Sequence, residues 1–175
     1  MEKGYIQIYT GDGKGKSTAA LGLALRAAGA GLRSLLIQFM KRGFPYSELN
    51  VIGRSSEWMK VEQYGSDAHV LEKRQPTEAE KAAVQRGLAR VVEEYERREF
   101  DIVILDEICV AVHFGLIGEM DVLPLLEQKP ENIELVLTGR YCPESWLERA
   151  DLVTEMKEIK HYYNKGVLSR KGIDS

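Results

Sequence analysis

The run Thr10-Gly11-Asp12-Gly13-Lys14-Gly15-Lys16-Ser17 follows a β-rich segment, Tyr5-Ile6-Gln7-Ile8-Tyr9, and precedes a long apolar helical segment. Strand, glycine-rich loop and helix in this order read as a phosphate-binding P-loop. The glycines let backbone N–H groups close around phosphate oxygens, the helix directs the positive end of its dipole at them, and Lys16 adds a full charge. Ser17 then offers a hydroxyl to a magnesium ion, and Thr18 extends the loop into the helix. Thr10 stands where the general pattern G-x-x-x-x-G-K-[ST] has its first glycine. A plain glycine-rich turn is the alternative, but a turn has no need of Lys14, Lys16 and Ser17 beside three glycines. A dinucleotide fingerprint fails, because the spacing is G-x-G-x-G and the second strand ends in Gln38 rather than an acid.

Strand-like runs occur at Tyr5–Thr10, Ser34–Phe39, Lys60–Tyr64, Asp101–Leu105, Glu134–Thr138 and Asp151–Met156, with helical segments between them. This alternation predicts an α/β fold, P-loop NTPase-like and RecA-like, with a predominantly parallel six-stranded sheet and helices on both faces. Ser17–Ala28 is apolar almost all round and ends at Gly29 and Gly31. After Pro76, Thr77 and Glu80 form a capping box, and Val84, Leu88, Val91, Val92 and Tyr95 make one apolar stripe. Pro143 suits a first helical position in a short helix to about Arg149. Arg42–Arg54 and Gly65–Gln75 read as long loops, placed where substrate contacts are commonly carried.

The 175 residues, 44% hydrophobic and 29% charged, fit a single domain spanning 1–175. A net charge of −3 argues against a general polyanion binder, so anion recognition must be local. Cys109 and Cys142 lack C-x-x-C spacing and read as free buried thiols in a reducing compartment. Without a signal-peptide pattern, and with Arg26 interrupting the one long apolar stretch, a cytoplasmic protein with no membrane span is expected.

Three further features carry chemistry. Ile102 to Leu105 is a buried strand ending in Asp106 and Glu107. One of these acids should approach the Ser17 hydroxyl and its magnesium, the alternative being that Asp106 caps the next helix. Arg140 after Leu137-Thr138-Gly139, and Lys41 and Arg42 after the second strand, could contact phosphate or substrate, or could be solvated turn residues. The stretch from Lys157 to Lys171 mixes Lys157, Lys160, His161, Lys165, Arg170 and Lys171 with Tyr162 and Tyr163. It reads as a solvated tail, a flap over the triphosphate, or a single-stranded nucleic-acid binder, the last disfavoured by the acidic balance. No paired nucleophile or general base is readable around His161.

Taken together, Tyr9 to Thr18, Ile104-Leu105-Asp106-Glu107-Ile108, Leu137 to Arg140, Ala150 to Met156, Lys160-His161 and Gly166 to Ile173 closely resemble the ATP:corrinoid adenosyltransferases of the cobalamin-biosynthesis type. In that family a leading Thr in the loop is usual. The resemblance implies transfer of the 5′-deoxyadenosyl group of ATP to the cobalt(I) of a reduced corrinoid, with triphosphate released. The substrate cobalt is the nucleophile, which accounts for the lack of one in the chain. Carried over residue by residue, Thr10 to Thr18 bind ATP, Lys16 stabilises triphosphate, and Ser17 with Glu107 holds magnesium. Lys41, Arg140, Lys160 and His161 are candidate substrate contacts. The resemblance also implies a homodimer and an electron donor such as a reduced flavoprotein. Two departures stand out. Only four residues precede the first strand, so a cross-subunit N-terminal lid is not expected. The segment from Gly65 to Val70 lacks the Phe-x-Trp pair that some members use to remove the corrinoid's lower ligand, and neither Tyr64 nor His69 is assigned that task. The residues alone leave a P-loop kinase or RecA-like ATPase as the alternative.

Overall fold

The computed structural model describes residues 1–43, 46–54 and 57–174. Six parallel strands, β1 (Ile6–Thr10), β2 (Ser34–Phe39), β3 (Met59–Tyr64), β4 (Ile102–Asp106), β5 (Glu134–Thr138) and β6 (Leu152–Glu155), form one sheet in the order β3-β2-β4-β5-β1-β6. The fold is the α/β, P-loop-like one the alternation predicts. The central strands β2, β4 and β5 are buried at every residue, which is why they read as near-continuous apolar runs. The edge strand β6 is exposed throughout.

Each strand sends alternate side chains to opposite faces, and two cores result. On one face, Ala20, Ala24 and Ala27 of α1 (Lys16–Gly29) pack on Leu36, Ile102, Ile104 and Val136. Alanine at this i, i+4, i+7 spacing brings the helix close to the sheet. The other face carries the larger core, built from Ile8, Leu35, Ile37, Val103, Leu105, Leu135 and Leu137 under α4 (Glu78–Arg97), α5 (Ile108–His113) and α6 (Glu119–Glu127). Helix α1 ends near the predicted glycines, Gly29 being its last residue and Gly31 taking φ +79°.

Three local expectations need correction. The loops expected at Arg42–Arg54 and Gly65–Gln75 each contain a short helix, α2 (Glu48–Ile52) and α3 (Ala68–Leu71), while Phe44 and Pro45 lie outside the described residues. Pro143 is the cap rather than the first residue of α7 (Glu144–Leu147). In α4 the capping box of Thr77 and Glu80 is present, but Val92 of the proposed stripe is 44% exposed. The buried face takes Arg90 and Glu94 instead. Arg90 Nη1 and Nη2 each donate to Glu94 Oε2 at 3.2 Å, Arg90 Nε donates to Glu62 Oε1 at 3.2 Å, and Glu94 Oε1 accepts the Phe100 N–H at 2.8 Å. Glu94 has no exposed surface. Truncating it as Glu94→Ala leaves a buried guanidinium short of a partner, and the urea-unfolding free energy is expected to fall by about 3–5 kcal/mol.

Candidate active site

Every chemical feature singled out from the sequence lies at or beyond the carboxyl ends of the strands, because all six run the same way. The P-loop follows β1, Lys41 follows β2, Asp106 closes β4, Arg140 follows β5, and Met156 follows β6. They border a cavity of about 940 Å³ lined by Gly13 to Thr18, Lys41, Glu107 and Arg140, together with Tyr46, Val51, Asp67, Val70, Val110, Phe114 and Tyr141 and with residues of the tail between His161 and Asp174.

Lys16 bridges its own loop. Its Nζ donates to the Gly11 and Gly13 carbonyls, each at 2.7 Å, and the residue is only 8% exposed. Burial draws the ammonium pKa below its usual value, and nearby Arg140 adds to this while Glu107 opposes it. The loop also packs against the chain leaving β6. The Gly13 N–H donates to the Met156 carbonyl at 2.6 Å, and a Cβ on Gly13 would lie 2.7 Å from that oxygen, so glycine is required there by packing. Arg140 Nη2 donates to the Asp12 carbonyl at 3.0 Å, which ties the end of β5 to the loop.

Asp106 is the hub. Its carboxylate accepts from Ser17 Oγ at 2.7 Å, Thr138 Oγ1 at 2.7 Å, Lys41 Nζ at 2.6 Å and Gln38 Nε2 at 3.3 Å. Burial alone would raise this carboxyl. The Lys41 ammonium and the hydroxyl donors outweigh burial and hold it below the usual carboxylate value. The helix-cap alternative does not describe Asp106, whose oxygens are engaged by other elements. Glu107 is the cap residue of α5, at φ +64° and with no side-chain cap bond. Its N–H donates to Thr138 Oγ1 at 3.0 Å, its side chain lines the cavity, and burial together with the neighbouring Asp106 charge raises its carboxyl pKa. Thr138 and Gln38 are members of the site that sequence reasoning missed. Thr138 sits in the Leu-Thr-Gly-Arg segment but draws attention only once β4 and β5 are known to be neighbours.

A divalent cation fits the Ser17–Asp106 pair only in company. Among the described residues no group of three or more His, Cys, Asp and Glu side chains could hold a metal by itself. One hydroxyl and one carboxylate are the protein donors that magnesium takes alongside substrate phosphates and water.

The basic tail keeps its basic side chains exposed, as a solvated tail would, but its end is tied to the loop. Lys14 Nζ donates to the Ile173 carbonyl at 3.0 Å and pairs with Asp174 at 3.1 Å, while Tyr162 and Arg170 also bond Asp174. His161 borders the cavity and its Nδ1 accepts the Tyr163 N–H at 3.1 Å. Lys160 is exposed and is not part of the lining. Tyr141, which also lines the cavity, has φ +60°, is 52% exposed and stacks on His113 with centroids 3.8 Å apart. Cys109 and Cys142 are both free thiols, the first buried and the second only half-buried. Among the described residues no helix is long and apolar enough to cross a membrane.

Comparison with known proteins agrees with this geometry. Residues 2–175 match the family model described as ATP:corrinoid adenosyltransferase BtuR/CobO/CobP. The chain is 32% identical to the corrinoid adenosyltransferase of Escherichia coli strain K12, covering 99% of this chain and 86% of that protein. It is equally 32% identical, with the same coverage, to the corrinoid adenosyltransferase CobA of Salmonella typhimurium. A Sinorhizobium corrinoid adenosyltransferase is 32% identical over 99% of this chain and 81% of its own length. A phosphate loop closed by Lys16, a Ser17–Asp106 pair beside it and an end-to-end family match together place the chain in the ATP:corrinoid adenosyltransferase family.

Proposed function

We propose that this protein transfers the 5′-deoxyadenosyl group of ATP to the cobalt(I) of a reduced corrinoid, in the making or salvage of the adenosylated coenzyme. The observation that carries the reading is the mixed lining of one cavity, in which the cationic loop of Gly13 to Thr18 is joined by the aromatic and aliphatic side chains of Tyr141, Phe114, Val110 and Val70. That mixture suits a polyphosphate together with a flat macrocycle.

The reaction asks for placement more than for protein acid or base. The cobalt(I) electron pair forms a bond to C5′ as the C5′–O bond breaks, and that bonding pair leaves with the triphosphate. Thr10 to Thr18 seat the triphosphate, and Lys16 and Arg140 stabilise the charge it gains on leaving. Ser17 with Asp106, and Glu107 from the cavity wall, would hold magnesium against the phosphate oxygens, supplying further charge to the leaving group. His161 borders the seat, whereas Lys160 is better read as a tail residue. A soluble cytoplasmic homodimer supplied with electrons by a donor such as a reduced flavoprotein completes the reading.

The test is which bond of ATP breaks. With chemically reduced cob(I)alamin, ATP and magnesium, the corrin spectrum should shift to that of the adenosylated form, with intact triphosphate released in equal amount. An analogue with a non-hydrolysable β–γ bridge should still support the transfer. ADP and orthophosphate without a corrinoid product would identify a kinase or ATPase instead.

A further inference from the structure

The place where a P-loop protein seats its divalent cation is, in this chain, already filled by a side chain. Lys41 Nζ lies 2.6 Å from Asp106 Oδ2 and donates to Ser17 Oγ at 3.1 Å, so it spans the two groups assigned to the metal. The pair is shielded, the Lys41 side chain being 10% exposed and that of Asp106 3%. Its placement is built into the backbone. Met40 turns the chain at φ +60°, Lys41 bridges to Ser66 across the start of the next loop, and Gln63 Nε2 donates to the Lys41 carbonyl at 3.3 Å.

A magnesium ion on Ser17 Oγ and Asp106 needs oxygens at about 2.1 Å. It cannot share them with an ammonium at its present distances, for reasons of space and of charge. Yet Asp106 is too buried to stand without a cation. One site and two cations imply an exchange. We propose that Lys41 is the resident counter-ion of the Ser17–Asp106 pair, gives way when the metal arrives with the triphosphate, and then turns its ammonium onto the triphosphate itself. Lys41 lines the cavity, and its four-carbon stem allows the shift. The nucleotide-free protein therefore refuses a divalent ion, and the metal enters only as part of the metal–nucleotide complex. The inference rests on reading the cavity as a triphosphate seat, and it makes Lys41 a direct contact of the bound triphosphate.

The test uses manganese as the metal probe, titrated into the nucleotide-free full chain and followed by electron paramagnetic resonance. Lys41→Met should bind Mn²⁺ at least tenfold more tightly than the unaltered protein, Lys41→Arg should not, and Asp106→Asn should abolish the gain when combined with Lys41→Met. Melting of Lys41→Met should be raised by magnesium alone, whereas that of the unaltered protein should not. Should Lys41→Met fail to fold, Lys41→Gln serves, because its amide can still donate to Asp106 but carries no charge. Equal Mn²⁺ affinity in the charged and uncharged variants overturns the proposal. Since neither ATP nor corrinoid is present, a protein that proved to split the β–γ bond could still pass this test, and a proven adenosyltransferase could still fail it.

Discussion

Replacing Lys16 by alanine is expected to weaken ATP binding at least ~100-fold, a loss of about 2.7 kcal/mol, while moving the melting temperature by less than about 3 °C. The large effect follows from position. The Lys16 ammonium is held by two loop carbonyls, Gly11 and Gly13, so it is fixed in the loop before any ligand arrives. Phosphate meets a charge that need not be ordered on binding. The small effect on stability has a separate cause. Lys16 is only 8% exposed, yet the groups it leaves behind are two carbonyls bordering an open cavity that water can reach. Calorimetric titration with ATP and a thermal melt of the same preparation separate the two. Affinity retained within threefold would remove the loop from its assigned role.

How much of this was legible in the sequence depends on how local the cause is. The P-loop is readable because its determinants lie within eight residues, and β2, β4 and β5 because burial on both faces leaves no polar interruption except Gln38. The Arg90–Glu94 pair defeated the apolar-stripe reading of α4, since its burial depends on Glu62 in β3 and on the Phe100 N–H, contacts that no helical period reveals. Lys41 looked equally suited to a solvated turn. What decides its position is the left-handed turn at Met40 and the adjacency of β2 to β4, which brings Gln38 level with Asp106. The tail is the extreme case. Lys14 and Asp174 meet across 160 residues of chain, and only the completed fold reveals that the end of the tail is tied to the loop while its basic side chains stay exposed.

Asp106→Asn and Glu107→Gln, adjacent changes of the same kind, are expected to diverge widely. Asp106→Asn removes the carboxylate paired with Lys41 in a buried site and weakens the bonds with Ser17 and Thr138, so the unfolding free energy should drop by about 3–5 kcal/mol. Adenosyl transfer should fall at least ~1,000-fold, because the Ser17 hydroxyl loses the carboxylate that aims it. Added magnesium should not restore it. Glu107→Gln keeps the shape of a residue that touches the cavity without anchoring any other element, and the expected result is a smaller loss that higher magnesium partly reverses. The two carboxyls also titrate in opposite senses. Asp106 has a depressed folded-state pKa, so its stabilising contribution is present above the ordinary aspartate value and is lost only as pH falls through the lower, folded value. Glu107 has a raised one, so the folded state loses stability as pH rises from the ordinary glutamate value through the folded value, and Glu107→Gln should melt slightly higher at neutral pH even as it works less well. If the Glu107 anion is what faces magnesium, the acid limb of the activity profile lies above the ordinary carboxylate range and disappears in Glu107→Gln. Equal losses of stability in the two variants, or a metal-rescuable Asp106→Asn, would reverse the roles assigned to these neighbours.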